Sequence, residues 1–358
     1  MVGDAALGAL HAVASFAAVR RPVDHYRLEQ ALGRPVDSKM LAALTTGLWG
    51  RRTTLNFHPD RLGPDGTSVA QGLLNTGRYL PQAVTGLSNG ERSAVPGGRR
   101  MEWERKLFGA GYDQHPDPAS RPIYGALDIT HDPFGGSPRF GSSFLVLEAH
   151  CLDRTTLCLG DSHVGPTDLG TIDEPLGLLA GLFEQAAGGN ALGRGIGTSA
   201  LLDLLTNGEA SASPGRELDH YVEAQVHGGV SLQTDVGSIV VDPSFHGTEV
   251  DRSLTEAARR YGFAVQWHDG SVLRAEDIPN NFRGTAVAEL GRSLAANRLL
   301  DAATIGRSAA TIPFTSPSMS GDAPASSLQR HKQLWHCLLA LGQAAAEGTV
   351  KGPVVTRG

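Results

Sequence analysis

Apolar residues near the amino end recur at helical spacing: Leu7, Leu10, Val13, Ala14 and Ala17 share one side of a 3.6-residue wheel. The pattern predicts an amphipathic helix packed on the body. Helical patterning continues to about residue 50, with a break at Gly33-Arg34-Pro35. The period then changes to two. Thr53-Thr54-Leu55-Asn56-Phe57-His58 reads as a strand, stopped by Pro59. Further strands are predicted over 123–129, 144–150, 155–159, 221–226 and 238–241. Helices are predicted over 69–80, 101–108, 176–187 and 199–205, with a Gly/Ser/Asn-rich loop over 86–98. Past residue 248 the pattern is helical again, over 250–261, 284–300 and 327–341. One short strand interrupts it at 264–268, and a Pro/Ser/Gly-rich linker covers 311–326.

Strands that come in runs, without strict strand–helix alternation, predict an α+β fold rather than a doubly wound parallel sheet. The expected layout is an N-terminal helical region over 1–50, a split β-sheet core over 51–248 and a C-terminal helical region over 249–358 packed on the core. No phosphate-binding P-loop occurs. Gly193-Arg194-Gly195-Ile196-Gly197 is too short for a dinucleotide fingerprint and lacks the strand that should precede it.

Composition narrows the function classes. The 358 residues are 41% hydrophobic and 19% charged, an ordinary globular balance. Forty-five glycines and 20 prolines follow no fixed period, which points to a loop-rich fold rather than a solenoid. The net charge of -6 and the absence of a lysine/arginine run disfavour nucleic acid as an electrostatically captured partner, though a local basic groove stays open. Cys151, Cys158 and Cys337 form no framework or zinc pattern, so a reducing cytoplasmic location is expected. No apolar run is long enough for a membrane span. The N-terminus lacks a basic start and carries Asp4 and His11, so it reads as a folded helix rather than a signal peptide.

Three stretches carry candidate chemistry. The first strand ends in His58-Pro59-Asp60-Arg61; its histidine also fits a plain strand-to-turn junction. Gly141-Ser142-Ser143 opens another strand and fits a β-bulge equally well. In Tyr221-Val222-Glu223-Ala224-Gln225-Val226-His227, alternation puts Glu223, Gln225 and His227 on one face. That face suits a cleft, and it suits a solvated surface too. Asp161-Ser162-His163 looks like a hydrolase triplet, but neighbours in a loop cannot form a triad with one another and no nucleophile elbow precedes them. It reads as a turn or helix cap. Trp335-His336 reads as part of a docking helix. His58-Pro59-Asp60 and Thr130-His131-Asp132 hold metal-binding residue types without a fixed-spacing motif. No metal site is assigned, and a metal-dependent hydrolase remains a rival reading.

Several motifs together resemble a bacterial family known only as domain of unknown function 3626. They are Thr54 to Arg61 (TLNFHPDR), Thr85 to Gly90 (TGLSNG), Arg121 to Ile129 (RPIYGALDI), Pro138 to Ser143 (PRFGSS), Tyr221 to Gly228 (YVEAQVHG), Phe282 to Gly284 (FRG) and Lys332 to His336 (KQLWH). The central part also resembles the ADP-ribosyltransferase superfamily. That superfamily carries, in order, an Arg or His, a Ser/Thr- or Tyr-containing strand, and a Glu. Here the order is His58 or Arg61, then Gly141-Ser142-Ser143, then Glu223.

The resemblance implies NAD as substrate, with release of nicotinamide and transfer of ADP-ribose to an acceptor. Protein side chains, nucleic acid, small molecules and water all remain open as that acceptor. Glu223 would stabilise positive charge developing on the ribose, and Gln225 would orient the acceptor. His58 or Arg61 would hold the adenine-side ribose or a phosphate. Ser142 and Ser143 would fix the sheet edge against the nicotinamide. The sequence departs from the superfamily's toxin branch at Tyr221, where Glu or Gln usually stands two residues before the catalytic acid. If position 225 were the acid's place, Gln225 would leave an inactive binding protein, the non-enzymatic alternative.

Overall fold

In the computed structural model, which describes residues 3–87, 99–113, 115, 117–208, 218–295, 299–312 and 327–345, two helices precede the first strand. They are α1 (Asp4–Leu32) and α2 (Ser38–Trp49). Gly33 ends α1 in the left-handed region, and the Asp37 carboxylate starts α2 by accepting the Met40 N–H at 2.7 Å. The chain continues through β1 (Arg52–Phe57), α3 (Val69–Thr76), β2 (Arg78–Tyr79), α4 (Gln82–Thr85), α5 (Arg99–Phe108) and β3 (Ile123–Asp128). Then come β4 (Ser143–Leu147), β5 (Thr155–Leu159), β6 (Leu169–Gly170), α6 (Leu176–Ala187), α7 (Thr198–Asn207), β7 (Val222–Val226), β8 (Val230–Ser231), α8 (Leu232–Asp235) and β9 (Val236–Val241). The last elements are α9 (Glu249–Tyr261), β10 (Ala264–Trp267), β11 (Leu273–Arg274), α10 (Thr285–Leu294), β12 (Leu299–Leu300), α11 (Ala302–Ala310) and α12 (Ser327–Leu341).

The class is α+β. One eight-stranded sheet runs β10-β9-β4-β1-β3-β7-β5-β6, antiparallel except at the β9–β10 pair. The expected division into two sheets is therefore not what the ladder shows: hydrogen bonding is continuous through β1. The register explains how a cleft arises all the same. β1 pairs with β3 only through Arg52, Thr53 and Thr54. It pairs with β4 through Thr54, Leu55, Asn56 and Phe57. The two pairings overlap at Thr54 alone, and beyond it β1 and β3 part. The other half of β3, from Ile123 to Gly125, keeps β7 as its partner.

Apolar side chains fill three cores. Leu55, Phe57, Ile239 and Val241 pack with residues of α3, α9, α10, α11 and α12. Leu127, Leu157, Val222 and Ala224 pack with residues of α2, α6 and α7. Ala5, Ala9 and Val13 of α1 join Phe108, Tyr112 and Cys158 at a third cluster. β10 extends the sheet past residue 248, and the first core draws residues from both sides of that point.

Several expected boundaries moved for local reasons. The helix predicted over 69–80 ends at Thr76, because Gly77 turns left-handed and Arg78-Tyr79 pair with β8. The strand predicted over 144–150 stops at Leu147 and gives way to a 3-10 turn, Ala149–Arg154. The helix predicted over 284–300 ends at Leu294. Helix α11 was not foreseen. Residues 88–98 of the expected loop and 313–326 of the expected linker lie outside the described residues.

Asn56 locks the strand to the loop that follows β3. Its buried amide donates to the Phe134 carbonyl at 2.8 Å and to the Gly141 carbonyl at 3.3 Å, and accepts the Ser137 N–H at 3.2 Å. Removing it leaves three buried backbone groups short of a partner, each worth about 1–3 kcal/mol if unsatisfied. Asn56→Ala should therefore destabilise the chain by roughly 2–4 kcal/mol. Urea unfolding checks this, and an unchanged midpoint would contradict it.

Candidate active site

A cavity of about 780 Å³ opens where β1 and β3 part. Asn56, Phe57 and His58 line it from one strand, and Ile123, Tyr124 and Gly125 from the other. Glu223 reaches its wall from β7. The register fixes that face. Gln225 stands directly opposite Tyr124 and Thr156, and Glu223 directly opposite Cys158, so these side chains share one side of the sheet.

Glu223 is 5% exposed, and its carboxyl is pushed up to about 7. Burial is the first cause and the nearby Asp161 the second, while contacts from Ser162 and Gln225 pull the other way. The Gln225 amide donates to Glu223 Oε1 at 2.8 Å, and Tyr221 donates to Oε2 at 3.4 Å. With its N–H₂ committed to Glu223, Gln225 offers its oxygen to Thr156, whose hydroxyl donates to it at 2.7 Å. Thr156 has one hydrogen, so at 3.0 Å it accepts from His227 Nε2. His227 Nδ1 is then the acceptor for Tyr112 O–H at 2.5 Å. Burial holds His227 neutral by lowering its pKa to about 3, which matches one ring N–H and one lone pair. The chain Tyr112, His227, Thr156, Gln225, Glu223 thus runs in one direction, and every donor points toward the carboxylate. Cys158 lies 4.0 Å from Glu223 Oε1, and burial raises its thiol well above the ordinary range, so it remains protonated.

The rest of the wall is cationic and aromatic. Arg61, Arg78, Arg100, Arg139 and Lys332 line it, with Tyr79, Trp103 and Phe140. The Arg100 guanidinium sits 4.8 Å from the Trp103 ring centre and 4.8 Å from that of Tyr124. Buried N–H groups of Arg61, Arg100, Arg139 and Trp103 have no hydrogen-bond partner among the described residues. Arg61 is also depressed below the usual guanidinium range by burial. His58 packs edge-on against Trp335 at 5.4 Å and is held neutral at about 3, by burial first and then by Arg61 and Lys332.

The expected site residues divide. His58, Arg61 and Glu223 meet in the cavity, although up to 165 positions separate them in sequence (223 minus 58). Gly141, Ser142, Ser143 and Gln225 do not line it. Gly141 passes so close to β1 that an added Cβ would sit 2.0 Å from the Phe57 carbonyl carbon, so the chain turns inward there. Ser143 Oγ accepts the Asp242 N–H at 3.3 Å, and the Ser142 carbonyl takes His268 Nε2 at 2.9 Å. The same motif reaches the cavity through Arg139 and Phe140, on the preceding 3-10 turn (Pro138–Phe140). Helix α12 braces that turn: Trp335 Nε1 donates to the Pro138 carbonyl at 2.8 Å, and His336 Nε2 contacts the Arg139 carbonyl at 3.3 Å. Lys332, one turn earlier on α12, stands 5.8 Å from the centre of the Phe140 ring.

A family model covers most of the chain, the cavity included. Residues 52–341 match the family described as "Protein of unknown function (DUF3626)". The chain belongs to that family. No curated protein matches it. Helices α1 and α2 precede the DUF3626 match, while every cavity residue named above falls within it.

Among the described residues one group has metal-ligating geometry: His150, Cys151 and Asp235. It lies off the cavity wall, and Arg154 Nη2 already pairs with Asp235 at 2.9 Å, placing a positive charge where a cation would compete. Among those residues no helix is long and apolar enough to cross a membrane.

The raised Glu223 carboxyl makes a stability prediction. An unfolded glutamate releases its proton near pH 4.3, the folded one near 7. Between these values the folded state holds a proton that the unfolded state lacks, so stability falls as pH rises through the window. Glu223→Gln removes this term. Its stability relative to wild type should improve by on the order of 3 kcal/mol between about pH 4 and pH 8. Denaturant titrations at both pH values measure it; a constant difference would contradict the burial argument.

Proposed function

We propose that this chain cleaves the nicotinamide–ribose bond of NAD and transfers the ADP-ribose to an acceptor, with Glu223 as the catalytic carboxylate. The carrying observation is one buried acid, fixed by a directed hydrogen-bond chain, on the wall of a cavity otherwise rich in guanidinium and aromatic groups. About 780 Å³ suits a dinucleotide. Arg61 offers forked donors to a pyrophosphate, and Arg139 adds positive charge, its Nη1 being bonded to Asp219 at 2.6 Å. Trp103, Tyr79 and Phe140 offer faces to the flat ring systems. As the glycosidic bond lengthens, positive charge grows on the ribose, and a carboxylate held in place without solvent reorganisation stabilises it. His58, held neutral, contributes a hydrogen bond rather than charge.

In this reading Gln225 positions the acid instead of contacting the acceptor. Its amide keeps Glu223 Oε1 aimed while Thr156 holds the amide in turn. The binding-only alternative draws on one observation: Ser142 and Ser143 are missing from the cavity wall.

Nicotinamide release from NAD, measured on purified chain, separates the readings. Wild type should release it. Glu223→Gln should bind NAD but turn over at least about a hundredfold more slowly. Gln225→Glu places a second carboxylate against the first, so it should lower turnover rather than raise it. NAD bound tightly with no release by wild type would favour the binding-only reading. Full activity in folded Glu223→Gln would remove the residue from its role.

A further inference from the structure

Asp161, Ser162 and His163 line the same cavity as Glu223. They cap a 3-10 turn (Ser162–Val164), with the Asp161 carboxylate accepting the His163 backbone N–H at 3.3 Å. The same carboxylate also contacts His163 Nδ1. A carboxylate oxygen facing Nδ1 accepts from it, so in the neutral ring Nε2 is the nitrogen with the lone pair. Trp103 stands edge-on to the ring at 6.3 Å. Both Asp161 and His163 side chains are about a quarter exposed, at 23% each, so a ligand can reach them. Asp161 is close enough to Glu223 to disfavour its ionised form.

We propose that His163, oriented by Asp161, is the general base that takes the proton from the acceptor nucleophile. The proposal rests on the NAD reading above and adds the residue that completes its second half. The bond between the ribose C1′ and the nicotinamide nitrogen breaks, and its electron pair leaves with neutral nicotinamide. An acceptor O–H, S–H or N–H forms the new bond to C1′ through its lone pair. Its proton passes to His163 Nε2 and then to water. The positive charge of the nicotinamidium is thereby released as one proton, and no oxidant or reductant is needed. Two acidic side chains and an imidazole thus divide the work: Glu223 stabilises the ribose, His163 removes the proton, and Asp161 holds the imidazole's tautomer.

The dyad makes a prediction that a structural cap does not. A base must be neutral and Glu223 must be ionised, so two deprotonations gate the reaction. The other charged groups on the wall are Arg61, Arg78, Arg100, Arg139, Lys332 and Asp65, with Asp161 on the turn itself.

The test is nicotinamide release from NAD, with water as acceptor, by wild type, His163→Gln, Asp161→Asn and Glu223→Gln, as kcat/KM against pH. At the acid end, log kcat/KM for wild type should climb with a slope of two. In His163→Gln the slope should fall to one, with kcat down about a hundredfold and NAD affinity by calorimetry unchanged. Asp161→Asn should reduce kcat while keeping the slope of two, because the imidazole is still present. Thermal melts confirm that each variant folds. An unchanged rate and slope in His163→Gln, beside an inactive Glu223→Gln, would overturn the dyad and leave the NAD reading standing. No release by wild type would overturn both.

Discussion

Strand β1 has two neighbours that it shares unequally. Arg52, Thr53 and Thr54 bond to β3, and Thr54 to Phe57 bond to β4. The β1–β3 ladder ends at Thr54 while the β1–β4 ladder continues to Phe57, so β3 parts from β1 beyond Thr54. The cavity forms there, and the surroundings follow from it. Asn56 closes the turn after β3 against β1. Gly141 lets that turn pass at backbone contact distance. Trp335 holds it from behind, which sets Arg139 and Phe140 on the wall.

The buried Glu223 carboxylate is a costly group in this arrangement. Desolvation and Asp161 both oppose its charge, yet the fold aims at it a chain of donors that begins at Tyr112. A structural role would be met more cheaply by Gln at position 223, which carries no charge to desolvate. That the acid is instead kept, its carboxyl pushed up by burial, on a cavity wall shared with guanidinium groups that have unpartnered N–H among the described residues, is the pattern expected of a group that acts on a ligand.

Much of this was legible in the chain. Alternation placed Glu223, Gln225 and His227 on one face, and the order of the motifs brought His58, Arg61 and Glu223 together. What alternation does not give is the division of roles. Gln225 does not line the cavity, and its amide is taken up by Thr156, on another strand, and by Glu223. Ser142 and Ser143 went into the sheet because of a close approach that only the fold reveals. The Asp161 cap was read correctly, but its place beside Glu223 depends on β5 lying next to β7. Helix α11 is short, nine residues, and is interrupted by a glycine. Its Gly306 lowers helix propensity, and the glycine is needed because an added Cβ would sit 1.4 Å from Asp60 Oδ2.

The most direct measurement is a crystal structure of Glu223→Gln with NAD bound, since this variant should hold the dinucleotide without consuming it. The account predicts the nicotinamide ribose against residue 223 and the pyrophosphate on Arg61 and Arg139. Density for NAD elsewhere on the chain, or in the cavity with its nicotinamide ribose turned away from residue 223, would contradict it.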